Sequence, residues 1–333
     1  RRNIPLPTYD AKTLENYVCL KEPKSLTCFL HCFSFFMPVL NGDPQALERI
    51  AYEFCEDKAN NGVLYCETRY CPHLLANCGV DGVKCDGDEK QNCSPRKVVE
   101  SVCKGLERGC RDFGLKVRSI LCCMRHRPDW SLEIVDLCEE FRDRNVVGLD
   151  IAGDESMGEI PAIKEHIMAF QRAQELGISR TVHAGEAGPA ASVHEAIFLL
   201  HANRVGHGYH VVEDPELYRY VIEKQVHLEL CPTSSILTGA VPGPIENHPA
   251  VKFADEGVNF SLNTDDTLVC LTDMNAEFEV AFNKMGFTAA LLAKATFNAA
   301  RSCFLPPDEK QELIEKLKVI YGVTPRAETT NSH

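Results

Sequence analysis

Several features that would place the chain in a common class are missing from its 333 residues. No run of about 18 apolar residues occurs, which argues against a membrane-spanning helix. The first residues, Arg1 to Pro5, contain no apolar core of the kind that a signal peptide needs. We therefore expect a protein of the cytoplasm with no membrane span.

Positive charge is also scarce. The chain has 35 Lys and Arg residues against 48 Asp and Glu residues, a formal net charge of −13. Binding to a phosphate backbone normally requires a basic surface, so a nucleic-acid partner is not expected. A small neutral or cationic ligand fits this balance better.

The cysteines lack the spacing of a metal or disulfide framework. There are 17 of them, an odd number, and no two are arranged as Cys-x-x-Cys. This pattern argues against a disulfide framework and against a cysteine zinc finger. Free cysteines behave as small hydrophobes, so we expect most of these thiols to be reduced and buried.

Short apolar runs alternate with amphipathic stretches from about residue 43 onward, which is typical of βα units. Near-continuous apolar runs also suit parallel strands that are covered on both faces. Strands are predicted at 62–67, 115–124, 146–151, 180–183, 204–207, 226–231 and 258–262. No linker or internal repeat interrupts this pattern, so the chain is predicted to form one domain, 1–333.

Seven strands suit an eight-stranded (β/α)₈ TIM-type barrel that lacks one strand. The segment before residue 43 reads as loop-like and contains no strand, so the absent strand is predicted to be the first. Residues 81–92 are predicted to form an exposed loop because they are rich in Gly, Asp and Lys. Ser192 and Glu195 are interpreted as a capping box that opens a short helix.

Polar residues at the carboxyl ends of the strands are the candidates for chemistry, because the active site of a parallel barrel lies there. His183, His207 and Asp265 each stand at such an end, and Glu186 follows the first of them by three residues. Imidazole nitrogens and carboxylate oxygens suit zinc, which keeps one position open for water in catalytic sites. The sequence therefore predicts a zinc site at the mouth of the barrel.

The motifs at these ends resemble those of the animal members of the adenosine deaminase family, which are (β/α)₈ barrels. The matching segments are SILCCMRHRP, LDIAGDE, RTVHAGE, RVGHGYH, LELCPTSSILTGA and SLNTDD, in that order along the chain. The resemblance implies zinc-dependent hydrolysis of adenosine and 2′-deoxyadenosine to inosine and 2′-deoxyinosine plus ammonia, in purine salvage.

The resemblance also implies a role for each site residue. His183 and Asp265 would bind zinc, and Glu186 would protonate purine N1. His207 would orient the attacking hydroxide, Asp266 would accept a hydrogen bond from the N7 side, and the Gly153 backbone N–H would point toward N3. The positions that match the lining of the purine and ribose pocket are Leu26, Phe29, Leu30, Phe33, Leu74 and Met124.

The chemistry explains why such a set is needed. Attack at C6 destroys the aromaticity of the ring, so N1 must receive a proton as the nucleophile arrives. Glu186 can supply this proton only if it is protonated at neutral pH, which burial near other carboxylates favours. The chain has no P-C-x-x-C motif, which excludes the deaminases that edit nucleic acids.

One family motif has no counterpart. Two further zinc ligands belong to a His-x-His motif on the first barrel strand, and none of the 12 histidines is arranged in this way. We expect that strand and those ligands to lie outside the 333 residues. A paralogue that has lost its metal is the other explanation.

Two alternative functions remain open. The chain could deaminate AMP, N6-methyl-AMP or adenine, and Arg125 is the main candidate to bind a phosphate at the mouth. It could instead be a non-catalytic protein that docks on a cell-surface peptidase through residues 125–144, as the resemblance to some mammalian members suggests. That alternative implies a minor cell-surface or extracellular pool.

Overall fold

The core of the protein is a sheet of seven parallel strands that follow one another in sequence order. A computed structural model describes residues 5–85, 92–157 and 163–323. The strands are β1 (Tyr65–Tyr70), β2 (Lys116–Met124), β3 (Val146–Ala152), β4 (Ser179–Ala184), β5 (Arg204–His207), β6 (His227–Leu230) and β7 (Phe260–Leu262). This is the α/β barrel architecture that the sequence predicts, with seven strands in the described part of the chain.

Helices surround the sheet and alternate with its strands. They are α1 (Ala11–Val18), α2 (Leu26–Leu40), α3 (Pro44–Asn60), α4 (Pro72–Leu75), α5 (Pro95–Phe113), α6 (Ser131–Glu140), α7 (Lys164–Glu175), α8 (Ala190–Phe198), α9 (Pro215–Glu223), α10 (Pro232–Leu237), α11 (Pro249–Asp255), α12 (Thr267–Cys270), α13 (Met274–Asn283), α14 (Ala289–Ser302) and α15 (Pro307–Ile320). Within the described ranges, none is both long and apolar enough to cross a membrane.

The interpretation of the first 42 residues as loop-like was wrong, because α1 and α2 lie there. Ser25 caps α2 by accepting a hydrogen bond from the Cys28 N–H. Leu26, Phe29 and Cys32 then recur at helical spacing and are buried. The aromatic residues and internal proline of α2 have low helix propensity, but burial of this face outweighs it.

Charged side chains inside the barrel show that the sheet curls. The Arg69 guanidinium on β1 lies 2.6 Å from Glu229 on β6, and Arg204 on β5 lies 2.6 Å from Glu67 on β1. In a flat sheet, β1 and β6 would be about 24 Å apart, since neighbouring strands are about 4.8 Å apart. These contacts are therefore possible only because the sheet curls strongly.

Most cysteines are buried free thiols, as expected. Cys122 and Cys123, for example, belong to the apolar core between the sheet and its helices. The structure differs at one place, where Cys78 and Cys85 form a disulfide. It closes a turn with Asp81 and Gly82 at its tip, and residues 81–85 are exposed as predicted; residues 86–91 of the predicted loop lie outside the described residues.

Candidate active site

The polar residues at the strand ends converge as predicted. The His183 ring on β4 and the His207 ring at the end of β5 have centroids 5.1 Å apart. His207 Nε2 lies 3.6 Å from Glu186 Oε2 in the loop after β4. Ligand atoms of His207, Asp265 and Cys231 all lie within 4.8 Å of one another. The site thus combines two imidazoles, two carboxyl groups and a thiol.

The backbone at two of these residues adopts a conformation that is uncommon for side-chain-bearing residues. His207 has a φ of 65° and Asp265 a φ of 55°. Such conformations cost free energy, and they persist where the surrounding structure enforces them. Ser234 at the start of α10 contributes by donating a hydrogen bond of 2.7 Å to Asp265 Oδ2. The geometry at the mouth is therefore imposed by the fold.

His183 is oriented by a buried carboxylate that the sequence analysis did not select. Its Nδ1 lies 2.9 Å from Asp150 Oδ2, so Nε2 is the nitrogen left for a ligand. Burial of the imidazole favours the neutral form, but Asp150 outweighs this and raises the pKa of His183 to about 9. A carboxylate behind a histidine is the usual arrangement of a metal-binding imidazole.

The carboxyl groups of the site have pKa values that are shifted in opposite directions. Glu186 is only 4% exposed, and burial raises its pKa above the usual value. Burial and the neighbouring Asp265 charge raise the pKa of Asp266 well above its usual value. Burial also opposes ionisation of Asp265, but His207 and His183 outweigh it and lower its pKa. The site thus places carboxyls whose protonated form is favoured beside one whose ionised form is favoured.

The donor set fits a metal ion. His207 Nδ1 and Glu186 Oε1 are buried and have no hydrogen-bond partner in the described ranges. Unsatisfied buried polar atoms indicate a group that protein atoms alone do not supply. Imidazole, carboxylate and thiolate are the ligands that zinc prefers. His183 and Asp265 could hold such an ion beside His207. The Cys231 thiol lies within reach of His207 and Asp265, but burial raises its pKa well above the usual value and so disfavours the thiolate that zinc binds.

Most of the predicted pocket residues lie around this centre. A Cβ atom on Gly153, which has a φ of 110°, would stand 3.5 Å from Met124 Cε. Leu26 and Phe29 on α2 pack together with Ala187 of the Glu186 loop, and Leu30 and Phe33 flank them. Leu74 on α4 instead lines a separate cavity of about 400 Å³ beside Trp130 and Arg127, and none of the strand-end histidines or carboxyls lines that cavity. Their contact with a nucleoside stays a prediction.

The start of α8 corrects one sequence interpretation. The helix begins at Ala190, so Ser192 and Glu195 lie inside it and do not form a capping box. Ser192 Oγ instead accepts a hydrogen bond from the Gly185 N–H and donates one to the Pro189 carbonyl oxygen. The Ser192 hydroxyl thus holds the loop that carries Glu186.

Comparison with known proteins decides the family. The sequence profile described as "Adenosine deaminase" matches residues 1–320. The chain belongs to the adenosine deaminase family. It is 46% identical to the adenosine deaminase of Gallus gallus, over 98% of this chain and 90% of that one. It is 45% identical to that of Bos taurus, over 97% and 88%. The family is one of metalloenzymes.

Solved structures agree with the adenosine deaminase fold. The crystal structure of an adenine deaminase from Arthrobacter aurescens superposes with a TM-score of 0.82 at 26% identity, covering 96% of this chain and 91% of that one. The chain is therefore an enzyme of the adenosine deaminase family with an α/β barrel fold.

Some residues of the site escaped the sequence analysis. Cys231 ends a predicted strand and was counted with the buried thiols, although that position is a signal for function in a barrel. Glu155 lies in the LDIAGDE segment, but nothing in the sequence indicated its partners. Arg69 lies inside β1, where a charge signals a cross-barrel contact only once the fold is known.

Proposed function

We propose that the protein is a zinc-dependent deaminase that converts adenosine and 2′-deoxyadenosine into inosine and 2′-deoxyinosine plus ammonia, in purine salvage. The observation that carries this proposal is the buried Glu186 carboxyl, which lies 3.6 Å from His207 and whose pKa burial raises toward the protonated form. A purine cannot be attacked at C6 without a proton at N1, and this carboxyl can supply one.

The residues divide the work as follows. His183 and Asp265 would hold zinc, which would supply an activated water nucleophile near neutral pH. His207 orients the attacking water, and Glu186 delivers a proton to N1. The Gly153 N–H binds N3.

N7 of adenine carries no proton, which changes one detail of the expected mechanism, and burial of Asp266 raises its pKa toward the form that can donate. A protonated carboxyl donates a hydrogen bond, and N7 of adenine is an acceptor. We therefore propose that Asp266 donates to N7, the reverse of the direction expected from the resemblance. A 7-deaza analogue of adenosine lacks that acceptor. It should bind more weakly than adenosine to wild-type protein, whereas the two compounds should bind equally well to Asp266→Ala.

The environment of Arg125 supports a nucleoside substrate over AMP or N6-methyl-AMP. Its guanidinium donates to the backbone carbonyl oxygen of His183 and lies 3.5 Å from Glu155. Arg127 is paired with Asp81 and Asp129. Both guanidiniums thus already face carboxylates, which compete with a phosphate for their charge, although Arg125 Nε makes no hydrogen bond within the described residues.

Turnover tests the substrate assignment. With the natural full-length protein, the loss of adenosine absorbance should exceed that of AMP, N6-methyl-AMP and adenine, and 2′-deoxyadenosine should react comparably. Glu186→Gln should lower kcat by about 100-fold or more, because the amide cannot supply the proton. Faster turnover of AMP, or a Glu186→Gln variant with wild-type kcat, would contradict the proposal.

Metal analysis tests the ligands. His183→Ala and Asp265→Ala should abolish bound zinc, whereas Cys231→Ser should retain it. If only Cys231→Ser lost zinc, Cys231 and not His183 or Asp265 would be the ligand. Two ligands are fewer than a zinc site needs, so we propose that further ones come from a His-x-His segment outside these 333 residues.

We also propose a cytoplasmic location. Docking of residues 125–144 on a cell-surface peptidase, with a minor pool outside the cell, stays a prediction of the family resemblance. Natural full-length protein that lacks both zinc and activity would favour that non-catalytic role over deamination.

A further inference from the structure

The loop that carries Glu186 is held by a single buried carboxylate on another element. Glu155 lies in a short 3-10 turn after β3, and its side chain is 2% exposed. Its Oε2 accepts hydrogen bonds from the backbone N–H groups of Glu186, Ala187 and Gly188 at 2.9, 3.1 and 3.0 Å. Its Oε1 accepts one from the Gly185 N–H at 3.1 Å. Four consecutive amides therefore point at one carboxylate.

The surroundings keep this carboxylate in place. Arg125 Nη2 lies 3.5 Å from Glu155 Oε1 and also donates to the backbone carbonyl oxygen of His183. A Cβ atom on Gly188 would stand 3.0 Å from Oε1, so the backbone approaches as closely as glycine allows. Arg125 and Glu155 thus fix both the end of β4 and the loop after it.

Local sequence does not impose the conformation of this loop. Gly185 has a φ of 64°, which side-chain-bearing residues rarely adopt. The amides from 185 to 188 precede α8 and have no strand or helix partner of their own, so without Glu155 most would be buried donors left unpaired. Successive backbone N–H groups that converge on an anion form a rigid nest.

We propose that Glu155 is a positioning residue for the deamination, which fixes the Glu186 carboxyl at the distance and angle that proton delivery to purine N1 requires. This inference rests on the proposed role of Glu186. The Glu186 N–H is itself one of the four donors, so the carboxylate acts on the backbone of the residue that it positions. A misplacement of about 1 Å at a reacting group can cost 100-fold in rate.

Glu155→Gln is the variant that tests the proposal. The amide nitrogen cannot accept a hydrogen bond, so either the Gly185 N–H keeps only Ser192 Oγ or the three amides from 186 to 188 lose their acceptor, while the volume is unchanged. We expect kcat for adenosine to fall by about 10- to 100-fold, with KM within threefold and the zinc-loaded protein still folded, although its melting temperature falls because buried donors lose acceptors. Binding of inosine should be unaffected, whereas a C6-tetrahedral nucleoside analogue should lose affinity by the same factor as kcat.

Hydrogen exchange gives a readout that is independent of activity. The amides of residues 185–188 should exchange faster in Glu155→Gln than in wild-type protein. Glu213→Gln is the matched control, because Glu213 accepts from the Ala190 N–H at 3.4 Å but is half-exposed and does not touch the loop. This control should retain wild-type kcat and wild-type exchange at 185–188.

The outcomes separate the two proposals. Unchanged kcat together with unchanged exchange in Glu155→Gln would overturn the role of Glu155. Wild-type kcat in Glu186→Gln would instead overturn the role of Glu186. In that case the exchange data would still show whether Glu155 holds the amides of residues 185–188. If Glu155→Gln does not fold, Glu155→Asp withdraws the carboxylate by one methylene. That variant should lower kcat at least threefold with KM unchanged, and wild-type kcat in it would refute the inference.

Discussion

Asp150→Asn is the change from which the structure predicts the most. The carboxylate is fully buried and lies 2.9 Å from His183 Nδ1 and 3.2 Å from Arg69 Nη1. An asparagine can keep its oxygen at the Oδ2 position that both donors share, but it removes the negative charge and places an NH₂ group where Oδ1 lies 3.1 Å from His183 Nδ1. A buried hydrogen bond to a charged group contributes about 1.5–3 kcal/mol. Since about 1.4 kcal/mol is a factor of ten, we expect a loss of about 10- to 100-fold in zinc affinity and in kcat/KM.

Two assays measure this loss. Zinc affinity follows from competition with a chelator, and kcat/KM from adenosine absorbance, both with natural full-length protein. Asp136→Asn makes the same chemical change on the surface, where Asp136 is more than half exposed and pairs with Arg172. It should have no effect on either quantity. Asp150→Asn with zinc affinity and kcat/KM within threefold of wild type would refute the assigned role of Asp150.

The same variant has a signature in the pH dependence of metal-free protein. Asp150 raises the pKa of His183 to about 9 against the opposing effect of burial. A group whose pKa is raised on folding contributes stability fully below its unfolded pKa, about 6.5. That contribution is lost as the pH rises through 9. The free energy of unfolding should thus decline between pH 6.5 and 9 in wild-type protein, and much less in Asp150→Asn.

Two further predictions concern the scaffold. Arg204→Met leaves Glu67 buried without its guanidinium, so urea unfolding at pH 7 should show a loss of about 3–5 kcal/mol. Arg144→Met breaks the exposed pair with Glu107 and should cost less than about 1 kcal/mol. Equal losses in the two variants would contradict the stabilising role assigned to the buried Arg204–Glu67 pair. Replacing both Cys78 and Cys85 by serine releases a short loop, at a cost of up to about 2.5 kcal/mol on the chain-entropy estimate. A wild-type melting temperature that does not change in reducing buffer would refute that contribution.

The strands and their ends could be predicted from the sequence because their signals are local. A parallel strand that is covered on both faces is a continuous apolar run, and β5 was predicted with its observed bounds at 204–207. The first strand was predicted three residues too early, at 62–67, whereas β1 spans Tyr65–Tyr70. Arg69 made the end of this strand look like a loop, since a charge inside a strand needs a partner that the sequence does not reveal.

The residues that the sequence analysis missed share one property, which is a partner far away in the chain. Arg69 meets Glu229 across 160 positions, and Glu155 meets the 185–188 amides across about 30. Each of these contacts forms only when the curled sheet brings distant parts of the chain together. His183, Glu186, His207 and Asp265 were found because their strand-end position and flanking glycines are visible locally.

The distant contacts join into one continuous chain of charges through the barrel. From the mouth inward it runs from His183 to Asp150, Arg69, Glu229, Arg204 and Glu67, with neighbours 2.6 to 3.2 Å apart. It contains three carboxylates but two guanidiniums, so it is neutral only if His183 carries a proton. This balance accounts for the raised pKa of His183.

A metal ligand must be a neutral imidazole, so binding a cation at His183 removes that proton. The cation then supplies at the mouth the positive charge that the interior chain lacks. The buried carboxylates thus favour a cation at this position even though Glu229 and Glu67 lie deep in the barrel. Neutralising Glu229 by Glu229→Gln should therefore weaken zinc binding without touching any ligand.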